Sequence, residues 1–129
     1  MALEIRIKRD LDLARQHMAT VELSGSLDTA TAPELERGLM PLMDVALRRL
    51  VFDLAGLKFI SSAGLRVFGI ARKRMSENGG QLAFVNMQPQ IEEVFEIIKA
   101  LPGLDVFTNM AEMDSYLSAR QLRDRDDDD

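Results

Sequence analysis

Cysteine and tryptophan are absent from this chain of 129 residues, and histidine occurs once, as His17. Without cysteine, no disulfide, thiol catalysis or thiolate metal site is possible. A histidine-based metal site or a serine–histidine catalytic pair would need partners that the sequence barely supplies. We therefore expect no catalytic residues, no metal and no cofactor, and we expect His17 to be a loop or strand-start residue without a role.

Long apolar stretches are missing as well. No apolar run of the sequence reaches the ~20 residues that a membrane-spanning helix requires. The first 12 residues alternate charged with apolar side chains, which is not the pattern of a signal peptide. These absences predict a cytoplasmic protein without membrane insertion.

Charge of one sign is concentrated at the C-terminus. The formal net charge is −5, and residues 123–129 (RDRDDDD) carry −3 of it, five aspartates against two arginines. The rest of the chain is nearly neutral and offers no electrostatic basis for nucleic-acid binding. We expect one domain over residues 1–119 and an acidic, disordered tail over residues 120–129.

Hydrophobic residues make up 47% of the chain but aromatic residues only 5%, which predicts an aliphatic, methionine-rich core. Strict alternation over residues 3–8 and a second run over 18–23 predict two antiparallel strands. The apolar run at 50–54 is typical of a central strand covered on both faces.

The remaining segments alternate helix and strand. Helices are predicted over residues 62–78 and 89–100, with strands over 81–86 and 104–107. The order ββαβαβαβα predicts the α/β class, with a mixed, mostly parallel sheet of about five strands and about four helices in one domain.

Two capping boxes mark further helix starts. Thr31 with Glu34, and Asn109 with Glu112, have the spacing in which each side chain caps the other's backbone N–H. Pro33 suits a first helical turn, whereas Pro41 predicts a kink or break near residues 38–41.

The stretch LVFDLAGLKFISSAGLRVFG is the most informative part of the chain. A buried strand ends at a short turn, after which Ser61 and Ser62 stand at the start of a helix. Free backbone N–H groups and the positive end of the helix dipole favour an anion there. From the residues alone, Ser62 is either a plain helix cap or a phosphorylation site.

Three motifs carry a family resemblance: LSGSLDTAT, DLAGLKFISSAGL and GGQLAFVN. With these motifs the sequence resembles a STAS domain, the fold of bacterial anti-sigma factor antagonists and of the cytoplasmic tails of sulfate transporters. The resemblance covers residues 3–117. In such antagonists, a partner that is both the anti-sigma factor and a serine kinase phosphorylates the serine at the helix start.

The resemblance implies that Ser62 is the phosphoacceptor, with Ser61 as the second choice. Asp28 corresponds to an acidic residue in the neighbouring loop, while Ala63 and Gly64 complete the surroundings. The sequence departs from the family pattern, because Ser61 replaces an acidic residue and Ala63 replaces a hydroxyl residue. The switch requires that the hydroxyl of Ser62 be exposed to solvent.

Helix two also carries a candidate partner-binding surface. Leu65, Phe68, Ala71 and Met75 form its predicted core stripe, and the opposite stripe holds Arg66, Ile70, Lys73 and Glu77. By the residues alone, an exposed Ile70 among charges fits either a contact face or an ordinary solvated face. The resemblance favours the contact face of Arg66, Ile70 and Lys73.

The leading hypothesis is a non-enzymatic anti-sigma factor antagonist that binds a serine-kinase anti-sigma factor, with a phosphatase as a further candidate partner. The alternative is a STAS scaffold, or a subunit of a larger signalling or lipid-transport assembly, without a phosphorylation switch. A small hydrolase using Ser62 is disfavoured, since no nucleophile-elbow motif accompanies the serine.

Overall fold

The computed structural model describes the backbone of residues 2–11, 17–45, 47–100 and 110–127. The elements in chain order are β1 (Leu3–Leu11), β2 (His17–Leu27), α1 (Ala32–Met43), β3 (Arg49–Ile60), α2 (Ser62–Glu77), β4 (Gln81–Val85), α3 (Pro89–Ala100) and α4 (Met110–Asp127). The predicted α/β class is confirmed, and His17 begins a strand as expected. The predicted strand at 104–107 and the capping box of Asn109 with Glu112 lie outside the described residues and side chains.

The sheet has the strand order β1-β2-β3-β4, with β1 antiparallel to β2 and the other pairs parallel. This confirms the antiparallel first pair and the mostly parallel sheet. Both β2 and β3 are longer than predicted, because their pairing continues through two register shifts to Leu27 opposite Ile60. The sequence pattern loses its alternation at these shifts, so it predicts strand ends that come too early.

The helices cover one face of β3 only. Leu50, Phe52 and Leu54 are fully buried, whereas Val51 and Asp53, on the other face, are half-buried. The prediction that this strand is covered on both faces is therefore wrong. The apolar residue Val51 makes the run look continuous, although its face of the sheet carries no described helix.

The core contains an aromatic cluster that composition did not predict. Phe52, Phe68, Phe84 and Phe95 come from two strands and two helices, with ring centroids 4.9 to 6.3 Å apart. Aliphatic side chains of α1 and α2 surround the cluster and are buried: Leu35, Leu39, Leu42, Ala71 and Met75. The predicted core stripe of α2 is thereby confirmed, with Leu65 half-buried against it.

Helix α1 begins after Thr31 as predicted and continues through Pro41 to Met43 without a break. Pro41 lies in the last turn, and its missing N–H removes one helical hydrogen bond to the carbonyl of Arg37. The buried residues Leu39 and Leu42 on either side hold this turn on the sheet.

Helix α4 crosses the predicted domain boundary at residue 119. The backbone of residues 120–127 is helical, which differs from the disordered tail expected from composition. Gln121, at the expected start of the tail, is fully buried and hydrogen-bonded to β3. Once one turn of a helix is fixed, each further residue that becomes helical adds one hydrogen bond. The turn that Gln121 anchors can therefore extend into the polar residues that follow it.

Candidate functional site

The candidate site lies where β2 and β3 end side by side. The backbone N–H of Ser61 donates to the carbonyl oxygen of Leu27 at 2.9 Å, which joins the two strand ends. Asp28 directly follows Leu27, and Ser62 opens α2 directly after Ser61. The structure therefore brings the predicted residues Asp28, Ser61 and Ser62 to one edge of the sheet.

The start of α2 differs in detail from the predicted cap. Ser61, not Ser62, is the N-cap residue, and its side chain makes no capping hydrogen bond. The hydroxyl oxygen of Ser61 is buried and has no hydrogen-bond partner. The backbone N–H of Ser62 donates to the Oδ1 atom of Asp114 at 2.8 Å. A carboxylate from α4 thus binds the first free N–H group of α2.

Both serines are buried. Ser62 is 3% exposed and Ser61 is 6% exposed. The prediction of a phosphoacceptor hydroxyl displayed to solvent is therefore wrong for this arrangement of the chain. Sequence analysis does not place α4 here, although Asp114 of that helix binds the backbone N–H of Ser62.

Among its described side chains, helix α4 contacts the site through residues on one side. Asp114, Leu117 and Gln121 follow each other at intervals of three and four residues, so they share one side of the helix. Leu117 is 1% exposed and Gln121 is 0% exposed. The side chain of Gln121 accepts from the N–H of Ile60 at 2.8 Å and donates to the carbonyl of Ile60 at 2.7 Å.

Sequence analysis missed Asp114 and Gln121. Gln121 falls in the predicted tail, although the spacing D-x-x-L-x-x-x-Q continues a helical stripe across that boundary. This spacing is the signal that could have extended the last helix. It carries no information about which part of the sheet the helix covers.

Gly64 allows α2 to approach β2 and β3 closely. A Cβ atom at this position would lie 2.6 Å from Cγ of Leu27 and 3.0 Å from Cγ1 of Ile60. The close approach that Gly64 permits is therefore internal to the chain. Ala63, which completes the predicted surroundings, is half-buried against the core.

Asp28 orders its own loop. Its Oδ1 atom accepts from the N–H groups of Ala30 at 2.9 Å and of Thr31 at 3.0 Å. The hydroxyl of Thr31 accepts from the N–H of Asp28 at 2.9 Å and donates to the carbonyl of Ser26 at 2.8 Å. Thr31 is the N-cap of α1 but makes no side-chain cap bond, so the predicted capping box with Glu34 does not form.

The predicted partner surface lies on one side of α2. Arg66 and Lys73 are exposed, while Ile70 is half-buried and so more covered than predicted. Arg72 and Arg74 are exposed on the same helix, which carries one acidic residue, Glu77. This helix therefore presents a basic surface on a chain whose net charge is negative.

The described part of the chain contains neither a group of side chains that could bind a metal ion nor a helix that could span a membrane. Within residues 2–11, 17–45, 47–100 and 110–127, no group of three or more histidine, aspartate or glutamate side chains is placed to hold a metal ion. In that same part of the chain, every helix is too short or too polar to cross a membrane.

Comparison with known proteins gives one family. The model of the STAS domain family matches residues 10–113. The chain is 41% identical over 75 residues to a Bordetella bronchiseptica protein provisionally named anti-sigma factor antagonist BtrV. That match covers 58% of this chain and 65% of the relative, just under two thirds of its length.

Two further proteins are similar over larger shares of their length. An anti-sigma-B factor antagonist of Staphylococcus aureus is 31% identical over 77 residues, which cover 60% of this chain and 71% of the relative. An anti-sigma factor antagonist of Mycobacterium paratuberculosis superimposes with a TM-score of 0.58 at 19% identity, over 91% of this chain and 95% of that one. The latter likeness shows a shared fold.

Proposed function

The chain belongs to the STAS domain family, and from that membership we propose that it is an anti-sigma factor antagonist. In this role it is a non-enzymatic cytoplasmic binding protein that captures an anti-sigma factor and thereby frees a sigma factor. The observation that carries the proposal is the meeting of Asp28, Ser61 and Ser62 at one sheet edge, inside the matched residues 10–113. The names of the Bordetella and Staphylococcus relatives support it.

The partner surface is the exposed side of α2. Arg66 and Lys73 offer positive charge, and Ile70 between them offers a partly open apolar side chain. Charged groups at an interface guide association and orientation, while a central apolar contact adds affinity. We expect the partner, a serine-kinase anti-sigma factor, to present an acidic surface with an apolar recess.

Phosphorylation of Ser62 by that partner would switch capture off. A phosphate adds about −1.5 to −2 charges and three acceptor oxygens. The start of α2 favours an anion, so the sheet and α2 should stay folded, whereas docking beside the new charge should fail. Ser61, the N-cap residue directly before Ser62, stays the second candidate acceptor.

One observation favours a second function. Because Ser62 is 3% exposed, the chain fits a STAS scaffold, or a subunit of a larger assembly, that uses no phosphorylation switch. A stable large assembly in size-exclusion chromatography, together with an unmodified Ser62 after incubation with the kinase and ATP, would support this alternative.

The test uses the full chain and a candidate serine-kinase anti-sigma factor. We expect Ser62→Asp to weaken capture by about tenfold or more while the fold persists, since a charge change at an interface core acts on affinity. Mass spectrometry of the wild-type chain after incubation with ATP locates the phosphate on Ser62 or Ser61.

Ser76→Asp is the matched control, because Ser76 is exposed near the other end of α2. It should capture the partner like the wild-type chain. Equal capture by a folded Ser62→Asp variant contradicts the switch. Failure of the wild-type chain to bind such kinases contradicts the proposed function itself.

A further inference from the structure

Helix α2 begins with an anion that the chain itself supplies. The Oδ1 atom of Asp114 accepts the backbone N–H of Ser62 at 2.8 Å. The first N–H groups of a helix have no partner within it and, with the helix dipole, favour negative charge. The Asp114 carboxylate thus occupies the position beside Ser62 that a phosphate on this residue would favour.

Among the side chains of α4 that the structure describes, a short stripe fastens the helix to the rest of the chain. Besides Asp114, this stripe provides the paired hydrogen bonds of Gln121 with Ile60, the buried side chain of Leu117, and the ion pair of Arg120 with Glu93 of α3. Away from this stripe, Ala111, Ser115 and Ala119 are exposed. A helix with a narrow, largely polar contact stripe opens more readily than one with a broad apolar face.

Reaching Ser62 requires that α4 move away. Phosphorylation forms a bond between Oγ of Ser62 and the γ-phosphorus of ATP and breaks the bond to the β–γ bridging oxygen. ADP leaves, and the hydroxyl proton passes to a base of the kinase. None of this can occur at a side chain that is 3% exposed beneath another helix.

A phosphate on Ser62 would oppose the return of α4. Its charge would lie on the residue whose N–H now binds the Asp114 carboxylate, and two anions at one helix start repel each other. The unmodified chain therefore favours a covered site, and the modified chain favours an uncovered one.

We propose that α4 covers the modification site. The helix must move away before Ser62 is phosphorylated, and the phosphate then prevents its return. The identity of the modifying enzyme rests on the proposed function. The movement of α4 is a property of this chain alone, so it can be measured without the partner.

The absence of cysteine makes the first test direct, because Ser62→Cys introduces a unique thiol. Ser76→Cys provides an exposed reference thiol, and Ala71→Cys provides one at a position that is 0% exposed in α2. Each thiol is labelled with Ellman's reagent, with and without the additional substitution Gln121→Ala.

We expect the thiol at position 62 to react at least about tenfold more slowly than the thiol at 76, and Gln121→Ala to speed labelling at 62 by about tenfold, as for local opening. Labelling at 71 should not change. Equal rates at 62 and 76, no effect of Gln121→Ala at 62, or equal acceleration at 62 and 71 would each overturn the proposal.

The second test isolates charge. Hydrogen exchange of the α4 amides is compared between Ser62→Glu and Ser62→Gln, which have nearly the same shape. We expect protection of α4 to be about tenfold lower in the Glu variant, because like charges repel. Equal protection in the two variants would overturn the role of charge. A failure of the labelling test or of the hydrogen-exchange test would not bear on partner capture. The proposed function is tested separately by the binding experiment.

Discussion

Gln121 of α4 forms two hydrogen bonds with the backbone of Ile60, the last residue of β3. The side-chain amide donates to the carbonyl of Ile60 at 2.7 Å and accepts from its N–H at 2.8 Å. The last pair between β3 and β4 is Asp53 with Val85, so the end of β3 has no partner in β4. Gln121 supplies there the hydrogen bonds of a neighbouring strand.

Gln121→Ala should lower the free energy of unfolding by about 1–3 kcal/mol, because two buried backbone groups of Ile60 lose their partners. Urea denaturation measures this change. Ser115→Ala, on the exposed side of the same helix, should stay within about 0.5 kcal/mol of the wild-type chain. Equal stability of the two variants would mean that Gln121 does not hold the end of β3.

Two glycines of α2 should respond to alanine with opposite signs. Gly64→Ala should destabilise the chain by about 1–3 kcal/mol, because the new methyl group overlaps Leu27 and Ile60. No atom lies within 4 Å of the position that a methyl group on Gly69 would take, so Gly69→Ala should stabilise the exposed helix by about 0.5–1 kcal/mol. Thermal unfolding monitored by circular dichroism distinguishes these outcomes, and a stabilised Gly64→Ala variant would contradict the close packing.

Asp28→Ala should cost about 1–2 kcal/mol of stability, since the N–H groups of Ala30 and Thr31 lose their acceptor. Asp28→Asn keeps an acceptor oxygen and should retain most of the stability. Chemical denaturation of both variants is the measurement. An equal loss in the two would show that the negative charge, and not the hydrogen-bond geometry, orders the loop.

Charge reversal on α2 should weaken partner capture without unfolding the chain. Arg66→Glu with Lys73→Glu should reduce affinity by about tenfold or more, mainly through slower association, because the expected partner surface is acidic. Arg9→Glu makes the same kind of change on the exposed outer strand and serves as control. Surface plasmon resonance with the kinase measures both, and equal effects at the two places would argue against the α2 surface.

Local pattern was sufficient for the limits of α3 and insufficient for the strand ends. The limits predicted for α3, residues 89–100, agree with the structure, since Pro89 marks its start and buried Ile91 and Val94 set its period. The ends of β2 and β3 depend on pairing between distant segments. The Ser24-Gly25-Ser26 stretch has the composition of a turn, yet parallel pairing with β3 keeps it in the sheet.

The site was predictable only in part, for a similar reason. The family resemblance was enough to place Asp28 in the loop that neighbours Ser61. The contacts that bury Ser62 join residues 52 and 61 positions apart, as in Asp114 with Ser62 and Gln121 with Ile60. No periodicity within a single helix specifies which distant backbone group it will meet.

Gln121 is one of three glutamines whose side chains bind backbone groups of β3. All three do so in the part of β3 that lies beyond its last pair with β4, where Asp53 faces Val85. Gln88 donates to the carbonyl of Ala55 at 2.7 Å, and Gln90 donates to that of Lys58 at 3.2 Å. Unfilled backbone groups along a strand invite pairing with another molecule and fibrillar aggregation. Truncation before α4 would leave the backbone N–H and carbonyl of Ile60 without Gln121. The truncated chain should therefore aggregate more readily even where its remaining core is intact.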